Sequence, residues 1–186
     1  MDIESLFSGM KEAPVFGRGS YITESGDFVV ELDKILVKTS QKKLGETFFI
    51  CEFKILESTS ASNPVGASRS WTAKFSQRNT FGNIKELMFA VLGKVGKDVP
   101  ETDKDSHELV TALSTAACST DGGKDVPSAM ATLKRLAGIE SIEEVHAIVT
   151  GSKLLLRTVQ TKTQAGGDYT RHIWAPVPAE GAESAA

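Results

Sequence analysis

Cysteine is scarce in this chain: Cys51 and Cys118 are the only two in 186 residues, and they lie far apart. So few exclude a scaffold stapled by disulfides, and the apolar run around Cys51 reads as a buried thiol in a reducing compartment. Histidine is nearly as rare. His107, His146 and His172 have no cysteine or carboxylate at metal-ligand spacing. No run of 18 apolar residues occurs, which excludes a membrane-spanning helix. The opening Met1-Asp2-Ile3-Glu4-Ser5 lacks the basic and apolar regions of a signal peptide, so the expected location is cytoplasmic. Catalytic signatures are missing too. Gly93-Lys94-Val95-Gly96-Lys97-Asp98 has the wrong spacing for a phosphate loop, and no Ser or Thr follows the lysine. The acidic set Asp98, Glu101, Asp103, Asp105 and Glu108 does not match a calcium loop and reads as a solvated linker. The expectation is a protein that is not an enzyme and uses neither metal nor other cofactor.

What is present fits a soluble globular chain of one domain, residues 1–178, followed by a disordered tail, 179–186. Hydrophobic residues make up 40% and charged ones 24%, enough apolar surface for a self-sufficient core. Three stretches carry β-branched and aromatic residues in partial alternation: Phe28–Val37, Thr47–Leu56 and Ser70–Phe75. A hairpin connection joins the first two, and an exposed Ser/Asn/Pro/Gly-rich loop joins the second to the third. Gly17, Gly19 and Gly26 punctuate an irregular leading segment.

The pattern then turns helical. Ile84, Leu87, Met88 and Val91 recur at amphipathic spacing, with Gly93 as the stop. Ser106 is placed to cap a second helix through Leu109, Val110 and Leu113. Ser128 to Leu136 forms a third, ended by Gly138, and Ser141 to Glu144 adds one further turn. Strand character returns over Val145–Val149 and Lys153–Val159, with a bend at Gly151-Ser152, and again over Tyr169–Trp174. This order predicts a mainly β fold with a helical insertion, 94–140. Its expected form is a five-stranded Greek-key barrel of the OB type, with the helices between strands three and four. An α+β sheet with helices on one face has the same order.

The formal charge of −3 argues at first against a polyanionic partner, but it is unevenly spread. Residues 1–33 sum to −5, residues 34–85 to +6, residues 86–147 to −5, residues 148–174 to +3 and the tail to −2. The basic segments are the strand segments, and they also hold Phe48, Trp71, Phe75, Tyr169 and Trp174. Cations that track phosphates, with rings that stack on unpaired bases, are what a single-stranded nucleic acid requires. Alternation in the second strand sends Phe49, Cys51, Phe53 and Ile55 inward and Phe48, Ile50, Glu52 and Lys54 outward. Lys42, Lys43, Lys54, Lys74, Arg78, Lys153, Arg157, Lys162 and Arg171 are therefore the expected phosphate contacts. Phe48, Trp71 and Tyr169 are the expected stacking residues. Trp71 and Trp174 are equally compatible with a place in the core.

In Gly19-Ser20-Tyr21-Ile22, Thr47-Phe48-Phe49-Ile50-Cys51-Glu52-Phe53, Trp71, Asn83-Ile84-Lys85 and Tyr169-Thr170-Arg171-His172-Ile173-Trp174-Ala175-Pro176, the chain resembles the OB-fold single-stranded-DNA-binding proteins of bacteriophages. The likeness covers about residues 15–92 and 142–178 and leaves 94–140 as an insertion. It implies non-catalytic, cooperative or oligomeric coating of single-stranded DNA in phage replication or recombination. It also implies bases laid over the outer sheet face and between Thr39–Gly45 and Thr161–Gly167. Such proteins often end in a strongly acidic tail that recruits replication partners. Here the tail carries only Glu180 and Glu183, so contact with replication or recombination proteins would fall to the acidic insertion. A phage structural or assembly protein and an RNA-binding module are the alternatives.

Overall fold

A computed structural model describes residues 21–40, 45–119, 125–162 and 167–178. The leading glycine-punctuated segment up to residue 20, the tail 179–186, and Lys42 and Lys43 lie outside these described residues.

Five strands form one antiparallel sheet: β1 (Gly26–Thr39), β2 (Thr47–Ser58), β3 (Ser68–Lys74), β4 (Lys153–Lys162) and β5 (Asp168–Pro176). Their order is β3-β2-β1-β4-β5, so β3 and β5 are the two edges and the ladder does not close. The expected order of three strands, helices and two strands is present. β1 is the spine, pairing with β2 along most of its length and with β4 through Gly26–Glu31 only. Shifts of register after Val29 and after Leu32 let β1 bend.

Alternation puts Phe28, Val30, Leu32 and then Ile35 on the inner face, with Phe49, Cys51, Phe53 and Ile55 of β2 beside them. Trp71 and Ala73 of β3, Leu154 and Leu156 of β4, and Trp174 of β5 complete this face. The sheet curls enough for rings on its two edges to meet. The Trp71 ring centroid lies 5.8 Å from that of Trp174 and 6.1 Å from that of His172. Phe49 and Phe53 close the cluster edge-on, at 5.6 Å from Trp71 and 5.7 Å from Trp174.

Four helices connect β3 to β4: α1 (Thr80–Val91), α2 (Lys104–Cys118), α3 (Val126–Ala137) and α4 (Ile142–Val149). α1 buries Ile84, Leu87 and Met88, packs against β5 and α2, and stops at Gly93, whose φ of 74° suits glycine. α2 begins earlier than its sequence suggests. Asp103 is the cap, its carboxylate accepting the Ser106 N–H at 3.0 Å. Ser106 itself is buried, and its hydroxyl accepts from Lys94 Nζ at 2.7 Å. α3 packs on α2 and ends at Gly138, φ 68°, as its sequence predicts.

The strand expected at Val145–Val149 is instead the C-terminal part of α4. Ser141 Oγ accepts the Glu144 N–H at 3.2 Å, and Glu144 Oε2 accepts the Glu140 N–H at 2.7 Å. These two cap bonds start a helix whose Val145 and Val149 fall on one face and are buried, so local capping outweighs the β-branched run. The bend expected at Gly151-Ser152 is the joint between α4 and β4, with Gly151 at φ 83°. The loop expected to lie exposed between β2 and β3 is tied down at Thr59, Ser60, Ser62 and Asn63. Asn63 is buried; its amide donates to Glu24 Oε1 at 2.7 Å and its carbonyl accepts from Arg69 Nε at 2.7 Å. Among the described residues no helix is long and apolar enough to cross a membrane.

Candidate nucleic-acid interface

Directly opposed residues of an antiparallel ladder point to the same face, so the pairing fixes which outward side chains are neighbours. Lys38, Phe48 and Lys74 stand in one cross-strand row over β1, β2 and β3. Next come Leu36, Ile50 and Thr72, then Lys34, Glu52 and Ser70. Lys54 stands between Glu31 and Ser68, and Glu31 also faces Lys153 across β1 and β4. Phe48 is half-buried and directly flanked by two lysines. Lys54 and Lys153 are exposed. Lys74 lies in an ion pair with Glu46 at 2.5 Å, both side chains partly shielded.

The second basic segment is divided. Arg157 Nε donates to Asp27 Oδ1 at 2.6 Å, and that carboxylate raises the guanidinium pKa first by the hydrogen bond and then by its charge. Lys162 faces Asp168 at the far end of the β4–β5 ladder and falls on the parity opposite to Arg157. Tyr169 and Arg171 lie on the outer parity of β5, beside Thr161 and Val159. They join Arg78, from the turn after β3, in a cleft of about 740 Å³ between β5, α1 and the 3-10 turn Gly96–Asp98. Lys85 and Lys97 line the same cleft, together with Glu86, Glu101 and His107. Burial pushes the Glu86 carboxyl up, and the nearby charge of Arg171 pulls it the other way.

Trp71 does not belong with the stacking residues. It is 6% exposed and wedged between Phe49 and Trp174. Its parity matches Ala73 on the inner face, so neither side of the indole is open to a base. Trp174, at 1% exposed, is core as well. Twelve positions singled out from the sequence thus fall into four groups. Phe48, Lys54, Lys74 and Lys153 occupy the outer face of the sheet. Arg78, Tyr169 and Arg171 meet in the cleft. Arg157 shares the outer parity in an exposed ion pair with Asp27, Lys162 ends the β4–β5 ladder on the other parity, and Trp71 is in the core. Lys42 and Lys43 lie outside the described residues. Lys38, Lys85 and Lys97 were missed. Lys38 could have been found from the hairpin register that sets Thr39 against Thr47; Lys85 lies off the apolar stripe of α1 and signals only solvation.

Among the described residues no group of three or more His, Cys, Asp or Glu side chains gathers to hold a metal. Both cysteines are free thiols, and burial raises both, Cys118 to about 12 and Cys51 further. His146, expected at the start of a strand, is exposed on α4. His172, beside Trp71 and Trp174, is depressed to about 4 by burial, with a smaller opposing pull from the Thr170 carbonyl. The chain matches no family model, and no curated protein is significantly similar to it.

Proposed function

We propose that this protein binds single-stranded DNA with little regard to sequence, coating it as the phage OB-fold proteins it resembles do in replication and recombination. The observation that carries this reading is the row Lys38–Phe48–Lys74, an aromatic side chain set between two cations on the solvent face of a curled sheet. A base has a ring to stack on, and phosphates on either side have an ammonium within reach. The ion pair of Lys74 with Glu46 is partly open to solvent, so a phosphate can replace the carboxylate at little net cost. The strand order supports the OB reading. Joining β3 to β5 would turn the ladder into a ring, and the Trp71, His172 and Trp174 rings already bridge that gap.

Because both tryptophans are buried, the suitable probe is a labelled oligonucleotide. Fluorescence anisotropy with oligo-dT should report binding whose log affinity falls linearly with log salt, by about 0.7 per phosphate contacted. An absence of binding at low salt, or an affinity indifferent to salt, overturns the proposal. Matched RNA added as competitor separates a DNA-binding protein from the RNA-binding alternative, since the 2′-hydroxyl is the only chemical handle that tells the strands apart at most contacts.

A further inference from the structure

The described cations differ in what already holds them. Lys74, Lys134, Arg135 and Arg157 each lie in an ion pair. Arg78, Lys85, Lys97 and Arg171, which converge on the cleft beside α1, lie in none. They arrive from four separate pieces of chain: the turn after β3, α1, the 3-10 turn and β5. Four cations outside any ion pair, against Glu86 and Glu101 on the same lining, leave this concavity a positive balance that the total of −3 conceals. Tyr169, 45% exposed, adds an accessible ring on the same wall. The cleft is joined to the sheet face by a short piece of chain. Arg78 is four residues beyond Lys74, at most about 14 Å along the chain. The turn between them is pinned by the Thr80 hydroxyl and the Gln77 N–H, both donating to the Lys74 carbonyl, at 2.6 and 2.9 Å.

We infer that this cleft is a second station for the same strand, binding the phosphodiester backbone as it leaves the Phe48 row, with Lys85 and Lys97 as phosphate contacts and Tyr169 as a stacking ring. The inference rests on the single-stranded-DNA reading above and deepens it. The helical segment between β3 and β4 becomes part of the nucleic-acid path through Lys97, although its net charge is acidic. Glu86 has a defined part in it. Its half-buried carboxylate sits among the four cations and opposes a phosphate arriving there. It limits how tightly the cleft holds the strand and so favours release.

The test compares the wild type, the double variant Lys85→Ala/Lys97→Ala, and Glu86→Gln, each titrated against labelled oligo-dT between about 50 and 200 mM salt. Lys85 and Lys97 are exposed, so the double variant should keep the wild-type thermal midpoint, which is measured alongside. The expected result is a loss of about tenfold or more in affinity for the double variant, with a log–log salt slope shallower by about 1.4, two phosphates' worth. Glu86→Gln should bind several-fold more tightly. If the wild type binds in a salt-dependent way and the double variant matches it in affinity and slope, the second station is overturned while the sheet-face reading stands. If Glu86→Gln binds no more tightly than wild type, the role given to Glu86 falls. If the wild type itself fails to bind at low salt, the functional reading falls and takes the cleft with it.

Discussion

A ring's usefulness to a nucleic acid depends on which of its faces the protein has already covered. Phe48 and Trp71 stand on neighbouring strands but on opposite parities, one flanked by Lys38 and Lys74, the other by Phe49 and Trp174. Their truncations should therefore act on different observables. Phe48→Ala should weaken oligo-dT binding by about 1–3 kcal/mol, with only a small change in the urea midpoint. Trp71→Ala should cost about 3–5 kcal/mol of folding stability. Where it remains folded, it should bind nearly as wild type. The reverse assignment, with Trp71→Ala stable but deficient in binding, would show that the indole reaches the ligand. The outward side of Phe48 is legible in the sequence, because Phe49, Cys51, Phe53 and Ile55 are so uniformly apolar that only one parity can be core. The place of Trp71 needed the curl of the sheet, which brings β5 within ring contact of β3; nothing local to Ser70-Trp71-Thr72 encodes that approach.

Elements were legible to the extent that their signals were local. The five strands fall within three residues of the stretches their alternation picks out. Gly93 and Gly138 end α1 and α3 where the sequence puts them, because a left-handed residue after a helix strongly favours glycine. The failure lies at Val145–Val149, where β propensity and a capping signal disagree. Two β-branched valines and an isoleucine suggest a strand, yet the Ser141 and Glu144 side chains accept the Glu144 and Glu140 N–H groups at the start of a helix. Its two valines, four residues apart, then share a buried face. If that cap decides the outcome, Ser141→Ala should lower stability by about 1 kcal/mol in a urea titration and leave oligo-dT affinity unchanged. No loss of stability would mean that packing of Val145 and Val149 alone selects the helix. Ser106, the cap its sequence suggests for α2, likewise takes another role. The hydroxyl there serves Lys94, and Asp103 takes the capping role one turn earlier.

Over the whole molecule, the segregation of charge along the chain could be read from the sequence, but its convergence in space could not. Arg78 and Arg171 are far apart in sequence and share a cleft only because α1 packs along β5. Acid should weaken the fold through His172, whose burial comes from the same convergence of β5 on β3. The imidazole of His172, held near a pKa of 4, lies below its ordinary 6.5, so between those values the unfolded chain takes up a proton that the folded one refuses. Stability from this source is complete above about pH 6.5 and is lost as pH falls toward 4, by up to about 3 kcal/mol. Glu86, raised by burial, acts with the opposite sign over part of the same range. Urea titrations from pH 7.5 to 4.5 should show the decline in wild type and a clearly flatter profile in His172→Phe, which keeps a ring against Trp71 and Trp174. Equal profiles would rule out His172 as the origin. The open seam that places this ring also bears on solubility. A five-stranded sheet with two free edges offers unpaired backbone groups to any passing strand, the usual start of edge-to-edge aggregation. Here the exposed margins are turned toward each other across the Trp71–Trp174 cluster. α1 packs along β5, while β3 is only seven residues long and carries Arg69 and Lys74. A sheet curled in this way, one edge against a helix and the other short and charged, offers a second chain less unpaired backbone than a flat sheet of the same order would.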